Sequence, residues 1–284
     1  MGNASRKGWI MNTKKIVSVQ DISCYGQCSL TVAQPVLSAY GFETAILPSA
    51  ILSTHTGGFT GFTVLDLTDE MPKIVNHWRS EKIKFDAIYT GYIGDTRQFA
   101  LIKEMRDLLN PGGLLICDPA MADHGKLYVA LNENIVAGMR ELVRESDIIM
   151  PNITEACFLL DIPYKEAPTR DEINSMLKDL AAMGPDTVII TGVSYEEGKL
   201  GAVAYTKADS KITEYFATRM EKSYHGTGDI FSSVLIANLL DGKTLYDSLA
   251  DACEFIVECI KETMPDESHV YGVKFEQVLA KRHK

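Results

Sequence analysis

Six short runs of β-branched and apolar residues, separated by stretches of helical periodicity, constrain the fold of this chain more than any other feature. The runs are Ile16–Val19, Ala45–Leu47, Ala87–Tyr89, Leu114–Cys117, Ile148–Met150 and Thr187–Thr191. Apolar positions at helical spacing predict helices over Leu30–Tyr40, Met71–Glu81, Thr96–Leu109, Asn132–Arg144, Arg170–Met183, Asp229–Leu240 and Leu245–Thr263. Gly41, Pro111-Gly112-Gly113 and Gly184-Pro185 are the clearest stop signals. Such alternation builds βαβ units, and strands as uniformly apolar as Thr187–Thr191 suit a parallel sheet covered on both faces. Beyond Thr191 the pattern changes. Ala202–Tyr205 and Ile212–Phe216, joined by Lys207-Ala208-Asp209-Ser210, read as a hairpin that adds antiparallel strands to one edge. The expected fold is therefore α/β, a three-layer α/β/α sandwich around a mostly parallel sheet with antiparallel edge strands. No repeat or low-complexity linker divides the chain, so residues 15–284 are expected to form one domain behind a flexible extension, residues 1–14, in which Met11 is an alternative start.

With 28 Lys+Arg against 38 Asp+Glu the formal charge is −10, which argues against a broad nucleic-acid or anionic-membrane footprint but permits a small local anion site. The longest apolar stretches, such as Val234–Leu240, fall far short of the ~20 residues that cross a bilayer. Six cysteines are too few for a disulfide scaffold, and no secretory signal precedes the first strand, so a reducing cytoplasm is expected. Cys24 and Cys28 lack a second cluster at zinc spacing and read as packing residues. The opening Met-Gly-Asn-Ala-Ser carries Arg6 where a myristoylation signal needs Ser or Thr.

In open parallel sheets ligands bind beyond the carboxyl ends of the strands, so chemistry is sought there. Gly226-Thr227-Gly228-Asp229 precedes an apolar helix. Two glycines permit a tight turn with converging amides, and the helix start adds its positive dipole end, which makes a cradle for phosphate. A carboxylate beside an anion is repelled unless it works, for instance as the base for an attacking hydroxyl in phosphoryl transfer. The alternative is that Asp229 is merely a helix-start residue favoured by the dipole. Asp118-Pro119 follows the run Leu114–Cys117, and Pro151-Asn152-Ile153-Thr154-Glu155 follows Met150. Their oxygens suit Mg²⁺ held through water, while Asn152 and Glu155 equally suit a helix-start capping pair. Neither a Walker A sequence nor G-x-G-x-x-G after a strand occurs.

These motifs, taken in order with Tyr25-Gly26, Cys28-Ser29-Leu30, Ser53-Thr54-His55-Thr56-Gly57-Gly58, Thr90-Gly91-Tyr92 and Met183-Gly184-Pro185-Asp186-Thr187-Val188, resemble the signatures of the vitamin B6 kinases of the ribokinase-like superfamily. The resemblance runs from about Ile16 to the final helices and implies ATP-dependent phosphorylation of the 5′-hydroxymethyl group of pyridoxal, pyridoxine or pyridoxamine. It implies Asp229 as general base, Gly226, Thr227 and Gly228 as the γ-phosphate anion hole, Asp118, Asn152 and Glu155 around Mg²⁺ and the nucleotide phosphates, and Thr191 on the phosphate chain. Tyr224 falls where the family walls the adenine, or is a buried strand-end aromatic. For the pyridine ring it indicates Asp21, Ser23, Thr56, Tyr92 and His55, the last of which also reads as a structural histidine. Asp118 to Tyr128 resembles the lid that folds over the phosphates, with Asp123 and Tyr128 at matching positions. ATP, Mg²⁺, a monovalent cation such as K⁺, and a homodimer complete the implication.

Two departures stand out. Asp21 occupies a place where many B6 kinases have Ser, and its carboxylate suits the ring's 3-hydroxyl, the pyridinium nitrogen or the cationic amine of pyridoxamine. Ala120 and Ala122 stand where the family often has Val and Gly. The rivals are a hydroxymethylpyrimidine kinase of the same superfamily, a sugar kinase, and a non-catalytic B6-vitamer carrier that has kept the fold.

Overall fold

In the computed structural model, residues 13–129 and 131–282 are described. Nine strands form one sheet, in the order β11-β10-β9-β8-β5-β4-β1-β2-β3. The strands are β1 (Lys15–Ser23), β2 (Glu43–Leu52), β3 (Val64–Asp66), β4 (Phe85–Thr90), β5 (Leu109–Cys117), β8 (Ile148–Ile149), β9 (Thr187–Val193), β10 (Lys199–Thr206) and β11 (Lys211–Thr218), while β6 (Ala122–Asp123) and β7 (Lys126–Leu127) make a separate hairpin. Strands β2, β1, β4, β5, β8 and β9 are parallel neighbours, and β10 and β11 close one edge antiparallel as the sequence predicts. At the other edge β3 pairs antiparallel to β2; it is three exposed residues long and carries no alternation that a sequence reading would register.

Helices cover both faces. One apolar layer lies under α2 (Met71–Ser80), α3 (Thr96–Glu104), α4 (Glu133–Glu145), α5 (Ile153–Leu160) and α6 (Arg170–Met183). The other lies under α1 (Leu30–Ala39), α7 (Thr227–Leu240), α8 (Leu245–Thr263) and α9 (Phe275–Arg282). Helix α7 is apolar around its whole circumference because it is buried between the sheet, α1 and α8. No helix among the described residues is long and apolar enough to cross a membrane.

Two expectations need correction. The helix predicted over Thr96–Leu109 ends at Glu104 and continues as a 3₁₀ turn, Met105–Leu108. Pro111-Gly112-Gly113 then lies inside β5 instead of ending a helix. Phe85 pairs with Leu109 but Ala87 with Leu114, so residues 110–113 bulge out of the ladder, with Gly112 at φ +79°. The expected extension falls mostly outside the described residues, but Lys14 is already docked: its carbonyl accepts from Glu43 N at 3.1 Å and its ammonium donates to the Leu240 carbonyl.

Candidate active site

At the carboxyl ends of β1, β4 and β5 the segments named by the sequence converge. Gly226 caps α7 at φ +80°, and a Cβ there would lie 1.8 Å from the Gln27 carbonyl oxygen, so the cradle is pressed against the β1–α1 loop. Thr227 Oγ1 donates to the Tyr224 carbonyl at 3.1 Å and closes the turn. Asp229 stands in the first helical turn. Its Oδ2 accepts from Ser29 N at 3.0 Å, and Ser29, held at φ 54°, is the N-cap of α1. One carboxylate oxygen thus joins two helix starts while the other accepts no hydrogen bond among the described residues. Burial pushes the Asp229 pKa up to about 7, and the charges of Asp118 and Asp21 push the same way.

Asp118, 8% exposed, accepts from Ser232 Oγ of α7 at 2.7 Å, and burial raises its pKa. Asn152 and Glu155 form the capping box of α5: Asn152 Oδ1 accepts from Glu155 N at 2.9 Å, and Glu155 Oε2 accepts from Asn152 N at 2.8 Å. The same pair grips the root of the expected lid, because Glu155 Oε1 accepts from Met121 N at 3.1 Å and Asn152 Nδ2 donates to the Ala122 carbonyl at 2.8 Å. The capping reading of Asn152 and Glu155 is thus what the structure shows, with the same side chains also tied to residues 121 and 122. Glu155 is raised well above the usual carboxylate range by burial first and by Asp118 second. Thr191 bridges to Asn152 through the backbone, which brings it to the same strand ends.

Among the described residues no side-chain cation offsets Asp118, Glu155 or Asp229; burial raises all three, with Asp118 adding to the rise of Glu155 and Asp118 and Asp21 to that of Asp229. Hard oxygen donors with this unmet negative charge suit Mg²⁺. Among the described residues no three His, Cys, Asp or Glu side chains converge into a direct metal cluster.

The segment expected as a lid forms the β6–β7 hairpin, whose turn residues His124 and Gly125 have φ 49° and 76°, a pair of left-handed residues that two-residue hairpins favour. Gly125 N donates to Thr154 Oγ1 at 3.0 Å. Asp123 is exposed and accepts from His124 N at 2.8 Å. Tyr128 leaves 39% of its surface open, and its phenol pKa is driven up by burial first and then by the charges of Glu155, Asp123, Asp118 and Asp229. Tyr224 is half-buried against the α7–α8 layer.

On the opposite side, Asp21 is 5% exposed, accepts from Ser23 Oγ at 3.2 Å, and has its pKa raised by burial. Tyr92 is raised by burial and then by Asp21. Thr56 is exposed. His55 is 4% exposed with both ring nitrogens engaged: Nδ1 accepts from Gly57 N at 3.2 Å, and Nε2 faces the Tyr271 carbonyl at 3.3 Å. That assigns the proton to Nε2, and burial lowers the pKa so the ring stays neutral. A Cβ on Gly26 would fall 2.1 Å from His55 Cδ2. Of the two readings of His55, the structure favours the strut, which locks the Thr56–Gly57 backbone against the Tyr25–Gly26 loop.

Sequence reasoning missed Tyr271 and His225. Tyr271 packs on Tyr25 at 4.9 Å between ring centroids, and His225 lies 5.6 Å from His55. The available signal was Gly272 behind an aromatic residue in a polar stretch. At φ +141° it passes so close to Gln27 that a Cβ would lie 2.5 Å from that side chain.

Comparison with known proteins agrees with this fold. The phosphomethylpyrimidine kinase family pattern matches residues 11–274. A pyridoxine/pyridoxal/pyridoxamine kinase of Bordetella avium is 28% identical over 267 residues, 86% of this chain and 84% of that protein. A crystal structure of a putative phosphomethylpyrimidine kinase from Bacteroides thetaiotaomicron, in a form with pyridoxal, is 40% identical with a TM-score of 0.91 and covers 95% of each chain. Pyridoxal kinase from Lactobacillus plantarum is 30% identical with a TM-score of 0.87, covering 94% of this chain and 96% of that one. The chain thus belongs to the phosphomethylpyrimidine kinase family, in the vitamin B6 kinase branch of the ribokinase-like superfamily.

Proposed function

We propose that this chain transfers the γ-phosphoryl group of ATP to the 5′-hydroxymethyl oxygen of a B6 vitamer. The observation that carries this reading is the Asp229 carboxylate. It sits behind the Gly226–Gly228 cradle with one oxygen tied to Ser29 N and a pKa near neutrality. In the reaction Asp229 accepts the hydroxyl proton as the new O–P bond forms. The bond from the γ-phosphorus to the β,γ-bridging oxygen breaks, and ADP leaves. The amides at the start of α7 face the charge on the transferring group. Mg²⁺, when bound, would neutralise the nucleotide phosphates; Asp118 and Glu155 would hold it through water, with Asn152 and Thr191 alongside. Tyr224 walls the adenine, while Asp123 and Tyr128 close over the phosphates and exclude water that would otherwise hydrolyse ATP. Asp21, Ser23, Thr56 and Tyr92 face the ring, with His55 as the strut behind them. The reading also includes activation by K⁺, a homodimer and a cytoplasmic location.

A coupled ATP assay across pyridoxal, pyridoxine, pyridoxamine and hydroxymethylpyrimidine, with and without K⁺, tests it. Turnover of at least one vitamer above hydroxymethylpyrimidine supports the reading. The second reading, a hydroxymethylpyrimidine kinase, has the family match in its favour and is upheld by the reverse order.

The base predicts a pH dependence. At subsaturating concentrations of both substrates the rate constant reports ionisation in the free enzyme. It should fall about tenfold per pH unit below about 7, where Asp229 takes up its proton, and level off above. A flat profile down to pH 5.5 would remove Asp229 from the role of base.

Asp21→Ser bears on the choice of vitamer. A buried carboxylate with raised pKa gains most from a cationic partner. The substitution should lower kcat/KM for pyridoxamine by roughly tenfold or more, as for the loss of a hydrogen bond to a charged group, and that for pyridoxal by less. Equal losses on both would show that Asp21 does not read the 4-substituent.

A further inference from the structure

Gln98 stands in the first turn of α3, 1% exposed, on a helix whose other buried residues are Phe99, Leu101 and Ile102. A primary amide in such a place needs partners for its N–H groups and its oxygen, and here it has them. Nε2 donates to the Ser49 carbonyl at 3.2 Å and to Thr68 Oγ1 at 2.8 Å, while Oε1 accepts from Gly94 N at 3.3 Å. A carbonyl only accepts and a backbone N–H only donates, so these partners fix which end of the amide is nitrogen. Leucine would fill a similar volume without burying an amide, so packing alone does not account for the residue.

The groups that Gln98 holds lead to the side of the cleft proposed for the ring. Gln20 of β1 pairs with Pro48 of β2, but Ile22 pairs with Ile51. Two steps on β1 are thus matched by three on β2, and Ser49 and Ala50 bulge opposite Asp21. The Ser49 carbonyl in this bulge accepts from Leu67 N at 3.1 Å as well as from Gln98, and Ser49 Oγ donates to the Tyr92 carbonyl at 3.3 Å. Gly94, whose amide rests on Gln98, lies against the Tyr92 ring, since a Cβ there would stand 3.4 Å from Tyr92 Cε1. One buried amide therefore ties the bulge facing Asp21 to the loop that carries Tyr92. We propose that Gln98 is a positioning residue for the ring, acting through Ser49 and Gly94 to set the separation of Asp21 from Tyr92. This rests on the ring-facing role given to those two side chains above, but on neither the base nor the nucleotide.

Ser49→Ala removes only the hydroxyl that holds the Tyr92 carbonyl, and Gln98→Met removes the amide while keeping the length of the side chain. Calorimetric titration should show the pyridoxal Kd rising about three- to tenfold in Ser49→Ala, the size of one net hydrogen bond, and by at least as much in Gln98→Met. The Kd of Mg²⁺·ADP should be unchanged in both, which a general loosening of the fold would not allow. Gln98→Met leaves the Gly94 amide unmet and should melt lower than wild type; Ser49→Ala orphans no donor and decides the matter if the other variant does not fold. On a Tyr92→Ala background Ser49→Ala should weaken pyridoxal no further, because the side chain it helps to place is gone. An unchanged pyridoxal Kd in either variant, equal losses for pyridoxal and Mg²⁺·ADP, or effects of Ser49→Ala and Tyr92→Ala that multiply would overturn the proposal. Hydroxymethylpyrimidine is titrated alongside. A wild-type protein that binds it and not pyridoxal sinks the B6 reading, and the same comparisons made with that ring then decide the role of Gln98; one that binds neither overturns both.

Discussion

Asp229→Asn should cut kcat by about 10²–10⁴, the range a positioned general base contributes, while Mg²⁺·ADP still binds. The amide keeps the shape and an oxygen that accepts from Ser29 N, so the joint between α7 and α1 survives. The effect on stability should run the other way. A carboxyl whose folded pKa lies near 7 against 3.8 for its ordinary value holds its proton more tightly when folded, so ionisation costs stability as pH rises through that interval. The variant escapes this cost. It should melt higher than wild type at pH 8, and the difference should shrink as pH falls through that interval and vanish well below pH 3.8, where both folded and unfolded wild type are protonated. Near-normal turnover, or a variant less stable at pH 8, would each contradict this account of Asp229.

Gly226→Ala should be comparably damaging for a different reason. Alanine at φ +80° is strained, and its Cβ would stand 1.8 Å from a backbone carbonyl that has no rotamer in which to move away. The β1–α1 loop must retreat, taking Ser29 away from Asp229 and the cradle amides away from the phosphate. A loss of kcat/KM of about 10²–10³ is expected, as when a donor to a developing oxyanion is removed. Gly228→Ala is the control: nothing lies within 4 Å of a Cβ there, so this variant should fold like wild type and report only crowding of the anion. Circular dichroism and melting curves of the pair separate a misplaced cradle from an unfolded protein. Wild-type kinetics in Gly226→Ala would mean that the cradle does not hold the transferring phosphoryl group.

The parallel strands were legible because burial on both faces makes them apolar throughout, as with Val188, Ile189 and Ile190. The hairpin edge was legible from its turn. Elements whose cause lies elsewhere in the fold were not. Strand β3 exists because β2 offers an edge, and residues 110–113 bulge because the ladder to β4 runs from Phe85–Leu109 to Ala87–Leu114. At the site, residue types announced the cradle and the carboxylates, since glycine spacing and strand-end acids are local signals. The division of labour was not local. That His55 spends both nitrogens on the backbone, and that Glu155 both caps α5 and holds the lid root, depends on partners up to 216 positions away, which no local pattern encodes.

The Tyr271 carbonyl, which receives Gln27 N at 3.0 Å and faces His55, has a consequence for synthesis. Ribosomes deliver Asp21, Asp118, Glu155 and Asp229 before they deliver residue 271. A nascent chain that has reached α8 carries every acidic group of the cleft, but the loops bearing Tyr25 and Thr56 still lack the brace that sets their spacing. The groups proposed for the phosphates are thus all made before the brace for the loops proposed for the ring, and the spacing of those loops is set only once residue 271 is in place.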